Sequence, residues 1–169
     1  MKKMTFAALA SMAIAVLGTS CTKTQTTPAE PGKAMVTLHL GINTDLTNDT
    51  TYNGGSQIQY ENVPSGTVIQ FVIDSEDLQE NPVSGYAYDK LTSTATVDGS
   101  GNVSVELPAI ATPLNVEVKF PDLELDEKKE RYNTVTSQNE VITETKIFTK
   151  GKEDISIWDG ATIIQEHNY

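Results

Sequence analysis

Apolar and polar residues alternate along several stretches of this chain with the period of two that is typical of a half-buried β-strand. The alternation is clearest in three segments, residues 36–42, 103–107 and 114–120. Residues 67–74 are more continuously apolar, which is typical of a central strand covered on both faces. We therefore predict a strand at each of these four places.

Weaker patterns add further elements. Residues 86–97 are rich in Thr, Tyr and Val, which favour strands, and another strand of undefined register is expected within residues 132–148. Residues 122–132 have a helix-forming composition, but their charge predicts a solvated excursion or a turn or two of helix. Turn residues at 98–102 and at Asp159-Gly160 predict two hairpins, of which the second joins residues 155–158 to 161–165. Strands with such punctuation predict an all-β fold, an antiparallel two-sheet sandwich of about seven to eight strands.

Residues 94–109 read as a strand, an Asp98-x-x-Gly101 turn, a second strand and Leu107-Pro108-Ala109. This segment resembles the central hairpin of carboxypeptidase-regulatory-like domains, and the resemblance implies a transthyretin-like (prealbumin-like) sandwich. Residues 45–48 and 63–67 are similar to segments of small Bacteroidota lipoproteins that carry such a domain. The family shares no catalytic residues, so the resemblance implies a fold and no activity.

The first 20 residues have the pattern of a secretory signal: Lys2 and Lys3, an apolar run over 4–17, and small residues before Cys21. The run is shorter than the roughly 20 residues that span a bilayer. Cys21 is the only cysteine, and its context resembles the looser lipoprotein box of Bacteroidota. The resemblance implies a diacylglyceryl group on the thiol and a further acyl chain, such as palmitate, on the freed amine. The alternative is simple secretion with a free thiol, which an oxidising compartment disfavours.

The remaining chain divides into a tether and one domain. Residues 21–33 are rich in Thr and Pro, as in a hydrated, extended tether, and residues 34–169 are enough for one sandwich domain. Thr22 rather than Asp follows Cys21, which by the same resemblance implies sorting to the outer membrane. Whether the domain faces the periplasm or the cell surface is left open.

The formal net charge of the whole chain is −11. Cleavage after residue 20 removes two of the 12 basic residues and none of the 23 acidic ones, so the mature charge is −13. Phosphate binding needs clustered Lys and Arg, and the chain has one arginine, Arg131. We therefore expect no nucleic-acid partner, and the lipid anchor as the contact with the membrane.

The candidates for catalysis and metal binding are few. We expect His39 on the open face of the first strand and His167 in a solvated tail, and neither belongs to a metal-binding or triad-like motif. Residues 43–49 place oxygen-bearing side chains at every second position, but an EF-hand starting at Asn43 would need Gly at 48 and Glu at 54, which are Asn48 and Gly54. We therefore predict no catalytic residue, metal ligand or cofactor, and leave a looser calcium site open.

Three aromatic residues and one threonine are candidates for sugar chemistry. Tyr86 and Tyr88, two apart in the predicted strand, and Trp158, beside the last turn, could stack on a glycan; the alternative is that these rings fill the core. Asp49-Thr50-Thr51 resembles the short O-glycosylation signal of Bacteroidota, which makes Thr50 a candidate acceptor on an exposed loop.

These observations lead to three functional hypotheses. The first is a non-catalytic, outer-membrane-anchored lipoprotein that acts as a binding or structural accessory module of the cell envelope, with an envelope protein as its partner. The second is a carbohydrate-binding module that captures glycan at the cell surface. The third, an enzyme, requires His39 or His167 to approach a carboxylate inside a pocket.

Overall fold

A computed structural model describes residues 31–52 and 54–169, apart from the side chain of Tyr52. The described residues form twelve strands and no helix. The strands are β1 (Gly32–Ile42), β2 (Thr50–Tyr52), β3 (Gly55–Gln57), β4 (Glu61–Asn62), β5 (Val68–Asp74), β6 (Lys90–Thr96), β7 (Asn102–Ala109), β8 (Leu114–Lys119), β9 (Leu123–Asn133), β10 (Gln138–Phe148), β11 (Lys152–Ile157) and β12 (Thr162–Asn168). The predicted all-β class is confirmed. The predicted signal peptide, Cys21 and most of the tether lie outside the described residues.

The first sheet is built around β1. Strand β12 lies on one side of β1 and runs parallel to it, from the pair Met35 and Thr162 to the pair Gly41 and Asn168. Strands β7 and β4 occupy the other side of β1, and both are antiparallel to it. The predicted antiparallel sandwich is therefore wrong at one pair of strands, since the first sheet is mixed.

The second sheet has the order β11-β8-β5-β6 and is antiparallel throughout. In β5, Ile69, Phe71 and Ile73 are buried, whereas Val68 and Gln70 on the other face are exposed. Val72 lies on the same face as Val68 and Gln70 but is only 6% exposed. The prediction that both faces of this strand are covered therefore holds only at that residue.

The buried apolar side chains of the two sheets form one continuous cluster. Because each strand has a two-residue period, alternate side chains of β1, β5 and β8 reach this shared interior. The largest fully buried side chains include Phe71, Leu38, Leu40, Ile42, Ile69 and Ile73. Two four-stranded sheets around one core are consistent with a β-sandwich.

Both predicted hairpin turns form, but neither joins two paired strands. At the first, the Oδ1 atom of Asp98 accepts hydrogen bonds from the amides of Ser100 (2.8 Å) and Asn102 (2.9 Å), and these bonds lower the pKa of Asp98. Strand β6 before this turn pairs with β5, and β7 after it pairs with β1. The Asp159-Gly160 turn likewise leads from β11 in the second sheet to β12 in the first. The turn residues therefore predict where the chain reverses direction. They do not predict which strand pairs with the segment before or after the turn, because that depends on packing in the core.

Three boundaries differ from the predictions. The strand expected over 86–97 is limited to β6, so Tyr86 and Tyr88 precede it. Residues 122–132 contain no helix and form most of β9 instead. Strand β1 begins at Gly32, within the predicted tether, because Gly32 pairs with Ala109 of β7.

None of the described residues belongs to a helix of the length and apolarity that crossing a membrane requires.

Candidate binding surface

Strands β9 and β10 form a two-stranded antiparallel ribbon of eleven residue pairs, from Leu123 opposite Phe148 to Asn133 opposite Gln138. Among the described strands, β9 and β10 pair only with each other. The strand expected within residues 132–148 is therefore confirmed. The ribbon begins at the core, where Phe148 is buried and Leu123 and Leu125 are half-buried, and most of the remaining side chains are exposed.

The middle of β9 is fixed by the segment that follows β1. The amide of Lys128 donates to the carbonyl of Thr44 (2.8 Å), and its carbonyl accepts from the amide of Leu46 (2.9 Å). The Nζ atom of Lys128 also lies 3.3 Å from Oδ2 of Asp45. These contacts hold β9 on the side that faces away from β10.

The same contacts show which edge of the ribbon is unpaired. Since the amide and carbonyl of Lys128 point away from β10, its partner across the ribbon, Thr143, points its own amide and carbonyl away from β9. The pairing is regular over the whole ribbon, so every second residue of β10 does the same. We call this row of residues the free edge: Asn139, Val141, Thr143, Thr145 and Ile147.

The free edge is uncharged and accessible. All five of its residues are exposed, and the exposed fraction is 61% for Val141 and 63% for Ile147. Within the described residues, the backbone hydrogen bonds that β10 makes are those of its pairing with β9. An exposed strand edge of this composition is a template for pairing with another strand.

The side chains of the intervening residues form a ladder of ion pairs. Glu127, only 5% exposed, lies 2.5 Å from Nζ of Lys146, and Lys129 lies 2.6 Å from Glu144. The hydrogen bond between Lys129 and Glu144 raises the pKa of the lysine and lowers that of the glutamate. The pair of Lys129 and Glu144 is largely accessible and adds little stability, whereas the buried carboxylate of Glu127 needs Lys146 as its partner. Both pairs favour this register of the two strands.

The ribbon starts at the end of the domain opposite the tether. Strand β1 begins at Gly32, at the end of the domain where the predicted tether would join it, whereas the amide of Tyr169 donates to the carbonyl of Gly41 and its hydroxyl donates to the carbonyl of Pro121, just before β9. Burial raises the pKa of Tyr169 to about 12, so this hydroxyl keeps its proton at neutral pH. The eleven residues of β1 span about 35 Å at ~3.3 Å per residue. The base of the ribbon and the entry of the tether are therefore separated by the length of the sandwich.

The glycan-stacking candidates lie at the tether end. Residues 78–81 and Gly32 line one open depression of about 620 Å³, which places the loop between β5 and β6 beside the start of β1. Tyr86 is 64% exposed and Trp158 is 44% exposed, so the alternative that these rings fill the core is wrong. Tyr86 and Tyr88 pack edge to face, with centroids 4.8 Å apart at 73°, and the Tyr88 hydroxyl accepts from the amide of Val83. The two tyrosine rings therefore do not form one flat platform.

Of the two histidines, only His167 departs from its predicted environment. His39 is half-buried on β1, with Nδ1 3.0 Å from Oδ1 of Asn102. His167 is 8% exposed on β12, so its predicted place in a solvated tail is wrong. The reason is the parallel pairing of β12 with β1, which turns the side chain of His167 inward against Phe120.

His167 contacts a carboxylate, as the enzymatic hypothesis requires. Its Nδ1 atom lies 2.5 Å from Oε2 of Glu153, and Lys150 lies 2.6 Å from the other oxygen of that carboxylate. The hydrogen bond from Lys150 lowers the pKa of Glu153, and the charge of His167 acts in the same direction. Partial desolvation of the carboxylate opposes this shift but is smaller. Lys150 also donates to the carbonyl of Asn168 at 3.0 Å. The group therefore ties the end of β12 to the start of β11 in the other sheet.

The loop of residues 43–49, which contains Asp45 and Asp49 and which we call the acidic loop, is held in place by hydrogen bonds, several of them to Glu61 of β4. Oε2 of Glu61 accepts from the amides of Thr44 (2.8 Å) and Asp45 (3.2 Å), and Oε1 accepts from Asn48 (2.7 Å). These bonds outweigh desolvation and lower the pKa of Glu61. The carboxylate of Asp49 likewise accepts hydrogen bonds, from the side-chain amide of Asn43 (3.0 Å) and from the backbone amide of Gln59 (2.8 Å).

Within the described part of the chain, no three His, Cys, Asp or Glu residues are grouped as metal ligands. Thr50, the glycosylation candidate, is exposed at the start of β2, beside the acidic loop.

No protein-family model, curated protein or solved structure matches this chain. The case for a binding surface therefore depends on the ribbon's own geometry. Sequence reasoning missed the free edge, although residues 139–147 alternate between uncharged and mostly charged side chains. That alternation could have indicated the strand, but not which of its edges is unpaired.

The carboxylates predict how stability depends on pH. The folded protein lowers the pKa of six of them below their ordinary values of 3.8 (Asp) and 4.5 (Glu): Asp45, Glu61, Asp98, Glu117, Glu144 and Glu153. Below those values the unfolded chain binds more protons than the folded one, so the free energy of unfolding falls with decreasing pH. Urea unfolding from pH 7 to pH 3 is expected to show little change above about 5 and a steady loss below it. The loss should be smaller in Glu61→Gln, and a free energy that rises on acidification would contradict this prediction.

Proposed function

We propose that the protein is a non-catalytic lipoprotein, held to the outer membrane by acyl chains on Cys21, that presents the β9–β10 ribbon to a protein of the cell envelope. The observation that carries the proposal is the free edge, which is uncharged, exposed and located on a ribbon that starts at the end opposite the tether. Strand addition to such an edge supplies affinity through main-chain hydrogen bonds.

Several features of the chain support this function. The signal-like residues before Cys21 and the Thr/Pro-rich residues 21–33 suit an anchored, tethered domain. Eight strands in two main sheets support a transthyretin-like arrangement of the carboxypeptidase-regulatory-like kind, in which the ribbon is an addition to the sandwich. The side of the membrane on which the domain lies decides which envelope proteins it meets.

The proposal is tested with a photo-crosslinking amino acid at Val141, on the free edge, in cells of the native host. The matched control carries it at Val83, which is similarly exposed (64%) but lies in the loop at the tether end. We expect a protein adduct from position 141 in the membrane fraction and none from position 83. No adduct from position 141, or the same adduct from both positions, would overturn the proposal.

Glycan capture is the second candidate, and the exposure of Tyr86 and Trp158 favours it. The same experiment separates the two functions, because position 83 neighbours the tyrosines. An adduct from position 83 alone would place the binding site at the tether end and favour glycan capture over the ribbon.

A further inference from the structure

Most strand edges of this domain carry the side chains by which proteins discourage edge-to-edge pairing, namely charged residues and proline. The outward-pointing residues of each edge follow from the backbone bonds that each strand makes with its neighbour. The protective residues among them are Lys90 on β6, Glu106 and Pro108 on β7, Glu124, Asp126, Lys128 and Glu130 on β9, Lys152 and Asp154 on β11, and Glu166 on β12.

The free edge of β10 differs from all of these. Its five residues include neither a charge nor a proline over eleven residues of strand, and four of the five, all except Asn139, are β-branched residues with a high strand propensity. The opposite edge of the same ribbon, on β9, has four charged residues among its outward positions. The ribbon is therefore protected on one edge and open on the other.

We infer that the free edge pairs antiparallel with the free edge of a second copy of this chain, with a two-fold axis at Thr143. This inference rests on the proposed function, and it names the protein partner. When the axis passes through Thr143, all five residues of the free edge are paired. Thr143 pairs with Thr143 of the second copy, Val141 with Thr145, and Asn139 with Ile147. Each pair can exchange two backbone hydrogen bonds, and the two ribbons become one four-stranded sheet.

Two of the three charged side chains between these positions are complementary in that register, and the third, Glu144, lies opposite Ile142 and keeps its ion pair with Lys129. Glu140 of each copy lies opposite Lys146 of the other, so two ion pairs flank the axis, and opposite charges across strands favour pairing. Lys146 already contacts Glu127, but an ammonium group has three donors and can serve both carboxylates. A surface that is complementary to itself is what a two-fold dimer requires.

The net charge, −11 for the whole chain and −13 after cleavage before Cys21, opposes association of two copies. This repulsion is screened beyond about 8 Å at physiological ionic strength, whereas the hydrogen bonds and ion pairs of the paired edges act in contact. We therefore expect the dimer at physiological salt rather than in water of low ionic strength.

The test uses the full-length protein in detergent, with sedimentation velocity over a range of concentrations. Thr143→Lys places two like charges opposite each other at the axis and is expected to weaken the dimer by about tenfold or more. Thr143→Pro removes the central outward amide without removing a bond to β9, and should act in the same direction. Thr94→Lys, on the edge of β6, is the matched control and should leave the dimer unchanged. Circular dichroism confirms that each variant is folded.

The outcomes separate this inference from the proposed function. A wild-type dimer that Thr143→Lys weakens and Thr94→Lys does not, with the position 141 adduct mapping to Thr145 of a second copy, supports both. A monomeric wild type, or a dimer insensitive to Thr143→Lys, overturns the inference. If position 141 then captures a different envelope protein, the proposed function stands without it; if it captures nothing, both fail.

Discussion

Phe71→Ala is expected to lower the free energy of unfolding by about 3–5 kcal/mol, the usual cost of truncating a buried phenylalanine. Phe71 is fully buried in β5, a central strand that pairs with both β6 and β8. Removing the ring leaves a cavity between the two sheets, which the surrounding strands can fill only partly. The measurement is equilibrium unfolding in urea at neutral pH.

Val68→Ala is the matched control for this change. Val68 lies in the same strand but is 47% exposed, so its truncation should cost much less than that of Phe71. A loss below about 1 kcal/mol for Phe71→Ala, or equal losses for the two variants, would contradict the buried interior described for the two sheets.

Cys21→Ser is expected to move most of the protein from the membrane fraction to the soluble fraction. Each buried methylene of an acyl chain contributes about 0.8 kcal/mol to membrane binding, and a hydroxyl in place of the thiol cannot accept the diacylglyceryl group. Cell fractionation followed by mass spectrometry of the N-terminal peptide measures both the distribution and the modification.

Thr22→Ala is the control for Cys21→Ser, because it leaves the thiol intact and changes the neighbouring residue. Its product should stay in the membrane fraction with acyl chains attached. If Cys21→Ser also remained there, or if the native N-terminal peptide carried no acyl chain, the proposed anchor would be wrong, and the ribbon would need another route to its partner.

Several elements could be predicted because their patterns are local. Strands β1, β5, β7 and β8 were expected from their apolar residues, since side chains alternate between the two faces of any strand. The turns at Asp98 and Asp159-Gly160 were also expected, because their side chains and glycine satisfy the backbone without help from distant residues.

The two segments that were predicted wrongly owe their structure to pairing with another strand. Residues 122–132 are charged and resemble a solvated helix, but pairing with β10 makes them a strand, and Glu127 is buried beside Lys146. His167 resembles a tail residue, but β12 adds to β1 in parallel and carries it inward. The alternation over residues 139–147 indicates a strand, but the local sequence does not give the partner of either strand.

By itself, the sequence determined that residues 34–169 form an all-β domain, and it predicted a signal and a tether before them, because alternation, turn residues and charge are properties of neighbouring positions. Only the tertiary structure decided that β12 joins β1, that the ribbon starts at the end opposite the tether, and that the unpaired row of β10 is the uncharged one. Those features follow from which strands pair across the chain, since the direction of a backbone amide is set by its neighbour in the sheet and not by its own side chain.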